Sequence, residues 1–211
     1  MKNTLYLIII VLIVVSCSAL RHSSKHGDFT KDQRQLIMKE DSLVPMRVFK
    51  ITQKSDSILL RTKCEFVRAD PNDLVLKTFI NRLYRTVRDS MSLGVGIAAP
   101  QVGVLKNIIW VQRFDKENFP FEVYLNPKIT TYSNRKQVFV EGCLSIPNRV
   151  DTVRTRSHSI LIEYDNINAE HKTDTVEGFT SVIFQHEIDH LNGILYLDHL
   201  NKDLKDEENN N

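Results

Sequence analysis

Two histidines and a glutamate near the C-terminal end of the chain have the spacing of a metal site. His186 and His190 are four residues apart, so on an α-helix they lie on one face, about one turn from each other. Two imidazoles placed in this way can bind one metal ion. Glu187 points roughly 100° around the same helix, where it can take a proton from a water molecule beside the ion. The alternative is a buried helix whose histidines only find hydrogen-bond partners.

A third ligand is expected from the segment Glu141-Gly142-Cys143-Leu144-Ser145. Hydrolytic metal sites use three protein ligands and keep one position open for water. Cys143 would follow a strand, and Gly142 would let the backbone approach the helix closely. Alone, Cys143 could equally be a small buried hydrophobic residue. Beside a helix that carries His186 and His190, the interpretation as a metal ligand is favoured.

The glycine-rich segment GVGIAAPQ, residues 94–101, contains Gly94, Gly96 and Ala99 in the pattern of a dinucleotide-binding loop. That loop needs a strand before it and a helix that opens within it. Here a charged helix precedes the segment, and Pro100 disfavours a helical conformation at Ala99. We therefore expect the glycines to permit close approach to an extended ligand, with Gln101 as an amide donor beside it.

Several short strands followed by one buried helix are predicted around these residues. This order indicates an α+β fold, with antiparallel or mixed β-sheets around the central helix that carries His186 and His190. Apolar residues at helical spacing between Leu76 and Val87 predict a scaffold helix, with its arginines on a solvated face. Residues 57–61 are expected to be a short strand or extended. Further strands are predicted at 108–111, 121–125, 138–140, 160–164 and 171–176.

Composition narrows the possible functions. The chain has 211 residues, 28 basic and 26 acidic, and a net charge of +2. This weak, scattered basic excess does not indicate a nucleic-acid partner. Three cysteines are too few for a disulfide scaffold, so each needs its own explanation.

The first 17 residues are typical of a bacterial lipoprotein signal peptide. An apolar run from Leu5 to Val15, interrupted only by Tyr6, ends at Val14-Val15-Ser16-Cys17, which resembles a lipobox. We expect export and lipidation of Cys17, and hence a membrane partner. The alternatives are an uncleaved anchor, or a leader that is not exported and leaves the protein cytoplasmic. Residues 18–50 are expected to be a polar tether, 51–200 the catalytic domain, and 201–211 a disordered tail.

Together the segments GVGIAAPQ, EGCLS and QHEIDHLNG resemble, in this order, the three signature motifs of the bacterial peptide deformylases. The similarity extends more weakly from about Leu60 to Leu200, and the N-terminal fifth has no counterpart in the usual cytoplasmic enzyme. Cys64 lies where the family carries a small residue, which favours packing for this thiol. Thr180-Ser181 stands where many members have Ala-Arg, a change expected at the pocket rim.

The resemblance implies a monomeric, metal-dependent enzyme that removes the formyl group of N-formylmethionyl peptides and releases formate. It implies that Cys143, His186 and His190 bind one divalent ion, typically Fe²⁺, with Zn²⁺, Ni²⁺ or Co²⁺ able to substitute. Glu187 would transfer the proton, and Gln101 and the Leu144 backbone N–H would meet the formyl oxygen. The substrate would lie beside Gly96, with its methionine in a pocket of Val95, Phe139, Phe179, Val182 and Ile183. A metallopeptidase, or a non-catalytic exported lipoprotein that binds metal or formyl peptides, remains an alternative.

Overall fold

The computed structural model describes residues 27–89 and 93–200, which form an α+β fold, as predicted. None of the helices within these ranges is both long and apolar enough to cross a membrane. In chain order the elements are α1 (Lys31–Ile37), α2 (Lys54–Leu60), α3 (Leu74–Val87), β1 (Gly96–Ala98), a 3₁₀ helix (Ala99–Val102), β2 (Ile108–Gln112), β3 (Phe121–Tyr132), β4 (Lys136–Cys143), β5 (Ile146–Ser157), β6 (Ser159–Asp165), β7 (His171–Glu177) and α4 (Gly178–Leu191).

Two antiparallel sheets surround α4. One has five strands in the order β1-β2-β3-β6-β7, and the other is the β4–β5 hairpin. Phe184, Ile188 and Leu191 of α4 pack on buried side chains of the larger sheet, where the Phe184 and Tyr124 ring centroids are 4.7 Å apart. The helix is buried on nearly all sides, as its apolar sequence predicts. The helix ends at Leu191 with Asn192 as its C-cap, and Gly193 follows with a φ of 72°, a left-handed conformation that glycine adopts without strain.

Residues 27–50 are not the polar tether that the sequence suggested. Phe29, Ile37 and Met46 are buried and join the core formed on α3. Arg82 of α3 holds this segment: its guanidinium donates to the carbonyl oxygens of Ile37 at 2.8 Å and Val44 at 2.9 Å. The prediction that the arginines of α3 are solvated is therefore wrong for Arg82, which is 4% exposed. Its charge is compensated by backbone acceptors rather than by water.

Two local predictions also differ from the structure. Residues 57–61 do not form a strand, because α2 occupies most of them. Strand β5 was not predicted, since Pro147 and Asn148 near its start suggested a break. The five predicted strands are present within β2, β3, β4, β6 and β7. Cys64 is buried in the core, as expected of a packing residue.

Candidate metal centre

Three donor groups converge where the end of β4 meets α4. The ligand atoms of Cys143, His186 and His190 all lie within 4.8 Å of one another, and the Cys143 Sγ is 3.2 Å from the His190 Nε2. Metal–sulfur and metal–nitrogen bonds of about 2.0–2.3 Å bring the ligands of one ion to such separations. The donor set fits one divalent cation.

The ring of His186 is oriented by a buried charge network. Its Nδ1 is 2.8 Å from the Glu141 Oε2, which leaves Nε2 for the metal. Arg156 donates to both oxygens of Glu141, at 2.7 and 2.9 Å, and to the Asp189 Oδ2 at 2.6 Å. Burial alone would raise the pKa of Glu141, but hydrogen bonds from His186 and Arg156 outweigh it and hold that pKa at about 2. A permanently ionised Glu141 therefore fixes the His186 tautomer.

The Cys143 sulfur lies in an environment that favours the thiolate. Burial opposes ionisation, but the His190 and His186 rings outweigh it and hold the pKa of Cys143 well below its usual range. Two N–H donors also face the sulfur: the Ser145 backbone N–H at 3.4 Å and the Gln101 Nε2 at 3.6 Å. The thiolate is the form of cysteine that binds metals.

Glu187 is buried beside these ligands, and its Oε2 has no hydrogen-bond partner among the described residues. Burial raises the pKa of Glu187 to about 7. A β-carbon added to Gly96 would overlap the Glu187 Oε1 and lie 2.8 Å from the Ile183 Cγ2. Only glycine at position 96 thus lets β1 approach the helix this closely. A buried acidic group with one oxygen left unpartnered by the described residues fits the transfer of a proton to or from a bound molecule.

A pocket of about 630 Å³ opens in front of these groups. The predicted site residues that line it are Val95, Gly96, Gln101, Phe139, Cys143, Leu144, Phe179, Val182, Ile183, His186 and Glu187. His190, 1% exposed, is buried next to the Cys143 sulfur. Gln101 is fixed within the wall, because its Oε1 accepts from the Ala98 N–H at 2.8 Å and its Nε2 lies 3.2 Å from the Ser145 Oγ. Cys17 lies outside the described residues.

The apolar part of the pocket has an aromatic wall made by Phe139 and Phe179. Their rings stack with centroids 4.6 Å apart and an interplanar angle of 9°, and Phe114 supports Phe179 from behind at a centroid distance of 5.1 Å. The sequence predicted Phe139 and Phe179 in the pocket, but it did not predict the roles of Glu141 and Arg156 beside the ligand set. Glu141 lies inside the EGCLS segment and could have been suspected as a partner of a histidine ligand. No sequence signal pointed to Arg156.

The model of the family described as "polypeptide deformylase" matches residues 48–206. The chain belongs to the polypeptide deformylase family. It is 35% identical over 162 residues to a peptide deformylase of Leptospira biflexa, covering 74% of this chain and 89% of the relative. It is 41% identical over 155 residues to the peptide deformylase of Desulforudis audaxviator, covering 72% of this chain and 94% of the relative.

Solved deformylase structures share the fold. A class I type b peptide deformylase from Acinetobacter baumannii, crystallised with Met-Ala-Ser, has a TM-score of 0.65 and 31% identity, covering 74% of this chain and 98% of the other. The peptide deformylase from Thermotoga maritima has a TM-score of 0.63 and 31% identity, covering 74% of this chain and 97% of the other. This chain is thus a metal-dependent hydrolase that removes N-formyl groups from peptides. Residues 27–47, which pack on α3, precede the family match.

Proposed function

We propose that this deformylase acts on N-formylmethionyl peptides, with Cys143, His186 and His190 holding one divalent cation and Glu187 moving the proton. The observation that carries the proposal is the convergence of three ligand atoms within 4.8 Å beside a buried carboxyl group that has an unpartnered oxygen. A pure metal-binding protein would not need that carboxyl group.

The ion is proposed to be ferrous iron. One thiolate and two imidazoles suit Fe²⁺, and equally Zn²⁺, Ni²⁺ or Co²⁺, so the donor atoms do not choose among them. When bound, a divalent cation acts as a Lewis acid on the formyl carbonyl and makes water more acidic. The choice of iron rests on the resemblance of the three motifs to the family pattern.

Glu187 is proposed as the general base and then the general acid. The Glu187 carboxylate lies next to the ligand set at the wall of the pocket, within reach of a water molecule that attacks the formyl carbon. It accepts one proton from that water and gives it to the nitrogen of the departing amine. The products are formate and a peptide with a free N-terminus.

The formyl oxygen gains negative charge as the water attacks. Gln101 and Leu144 are proposed to stabilise that charge through the Gln101 side-chain N–H and the Leu144 backbone N–H, since both residues line the pocket beside Cys143. Removing one donor of this kind costs about 3 kcal/mol of transition-state stabilisation in other enzymes. Because the Gln101 Oε1 is held by the Ala98 N–H, its Nε2 is preset as the donor end.

The methionine side chain is proposed to occupy the apolar part of the pocket formed by Val95, Phe139, Phe179, Val182 and Ile183. Sulfur makes favourable contacts with aromatic rings, and the Phe139–Phe179 stack offers such a surface. The peptide that follows would run beside Gly96 as an added strand.

The test measures formate release from formyl-Met-Ala-Ser by the full-length chain loaded anaerobically with Fe²⁺. We expect turnover by the native chain, and a loss of at least about 100-fold in Glu187→Gln with unchanged metal content. The matched control is Glu117→Gln, which changes an exposed glutamate away from the pocket. Metal binding without formate release would favour a non-catalytic binder, and cleavage of unformylated Met-Ala-Ser would favour a metallopeptidase.

We further propose that the enzyme is exported and anchored in the membrane through a lipid on Cys17, and that it is a monomer. Support comes from the apolar run before Cys17 and its lipobox-like end. Cys17→Ala should abolish incorporation of a clickable fatty acid in a bacterial host. Labelling that persists in this variant would refute the lipidation proposal, and sedimentation of the detergent-solubilised chain would test the monomer.

A further inference from the structure

The two-residue turn between β4 and β5, Leu144-Ser145, has a peptide group held at both ends. The Lys50 ammonium donates to the Leu144 carbonyl oxygen. On the opposite side of the same peptide, the Ser145 N–H donates to the Cys143 sulfur at 3.4 Å. The Lys50 ammonium and the Cys143 sulfur therefore contact opposite ends of the same peptide dipole.

Lys50 is itself fixed by the backbone around it. The Lys50 backbone N–H donates to the Asp56 Oδ2 at 3.0 Å, and the neighbouring Ile51 backbone N–H donates to the Ser145 carbonyl oxygen at 3.0 Å. The Lys50 side chain is half-buried and lines the pocket. Segment 49–51 thus runs along the turn, and Lys50 reaches its central peptide from a defined position.

The central peptide of a β-turn can adopt two orientations, which differ by a rotation of about 180°. In one orientation the N–H of Ser145 faces the Cys143 sulfur; in the other, the Leu144 carbonyl oxygen would face it. A carbonyl oxygen beside a thiolate is repulsive, whereas an N–H stabilises the thiolate and tunes the metal that it binds. A positive charge on the carbonyl side favours the first orientation and polarises the N–H.

We propose that Lys50 is a positioning residue that fixes the Leu144–Ser145 peptide with its N–H toward the Cys143 sulfur. Lys50 does not bind the metal in this role; it sets the electron density of the sulfur ligand. The same contact holds the turn that carries the Leu144 N–H, and this second consequence rests on the proposed function.

The decisive readout is the thiolate-to-metal charge-transfer band of the Co²⁺-loaded full-length chain. In Lys50→Met the sulfur loses a stabilising hydrogen bond, so the band should move to longer wavelength. Lys50→Arg, which keeps the charge, should restore the native position. Lys50→Gln, which keeps a polar end but no charge, should also move the band to longer wavelength. It replaces Lys50→Met in the experiment if that variant does not fold. Lys172→Met, a surface lysine paired with Glu170, is the matched control and should leave the band unchanged.

Kinetics give a second readout. Changes in the outer shell of metal ligands typically cost about 10- to 100-fold in affinity or activity. We expect kcat to fall by about tenfold in Lys50→Met, with unchanged affinity for the deformylated peptide Met-Ala-Ser, which lacks the formyl oxygen. A native band in folded Lys50→Met or Lys50→Gln would overturn the proposal. Absence of formate release by the native chain would overturn only the proposed function, because the cobalt spectrum does not depend on turnover.

Discussion

Replacing Glu141 by glutamine should weaken both the fold and the metal site. The carboxylate is 5% exposed and contacts three donors: the Arg156 Nε at 2.7 Å, the Arg156 Nη2 at 2.9 Å and the His186 Nδ1 at 2.8 Å. Glutamine has the same shape but no charge and only one acceptor oxygen. Arg156, itself buried, would retain Asp189 as its carboxylate partner among these contacts.

The expected loss of unfolding free energy follows from the burial of Glu141 and Arg156. Removing one partner of a buried ion pair costs about 3–5 kcal/mol, and the acceptor that glutamine retains places Glu141→Gln near the lower value. For a chain of this length, about 3 kcal/mol corresponds to a fall of about 6–12 °C in Tm. Loss of the carboxylate behind His186 should weaken metal binding by about 10- to 100-fold.

Thermal unfolding of the metal-free chain and competition with a chromophoric chelator would measure the two effects separately. Glu170→Gln is the control, because its ion pair with Lys172 is exposed and contributes little to stability. If Glu141→Gln unfolds at the same temperature as this control, or binds Zn²⁺ as tightly as the native chain, the network does not orient His186 as argued.

Three further predictions follow from single contacts. Gly96→Ala should lower kcat by about 100-fold with the metal retained, because the added methyl group displaces Glu187; native kcat would contradict this. The Arg47 side chain lowers the pKa of Asp56 to about 2 in the folded chain, below the value of about 4 in an unfolded chain. The Asp56 carboxylate therefore stabilises the fold above about pH 4, and this stabilisation is lost as the pH falls toward 2. The difference in urea unfolding between native and Asp56→Asn proteins should shrink over that range, whereas a constant difference would refute the assignment. Phe29→Ala should cost about 3–5 kcal/mol in unfolding free energy, whereas a tether residue would cost under about 0.5.

The proposed ligand set could be predicted from sequence because its signals are local. The i, i+4 spacing of His186 and His190 is set by the helical period, and Cys143 lies in one short segment that resembles a family motif. The partners of this set could not be predicted, since Lys50 and Arg156 are single charged residues that belong to no motif. Only the three-dimensional arrangement brings the Lys50 ammonium to a turn 94 residues away.

The N-terminal segment shows a different limit. Phe29, Ile37 and Met46 are eight and nine residues apart, so they form no helical or strand period and the surrounding charges dominate the pattern. The segment that carries them is also bound by Arg82, whose position on α3 gave no sign that it donates to distant carbonyl groups. Long-range hydrogen bonds from a side chain to backbone carbonyl groups leave no trace in composition.

Helix α4 carries two of the three proposed metal ligands, His186 and His190, and also forms the centre of the core. Cation binding at this site and folding would therefore share one equilibrium. A ligand that binds only the folded chain stabilises it by about 4 kcal/mol when its free concentration is a thousand times Kd. The fraction of unfolded chains available to proteases would then fall about a thousandfold with loading. The abundance of this protein in a cell should accordingly track the supply of its cation, even before any peptide is processed.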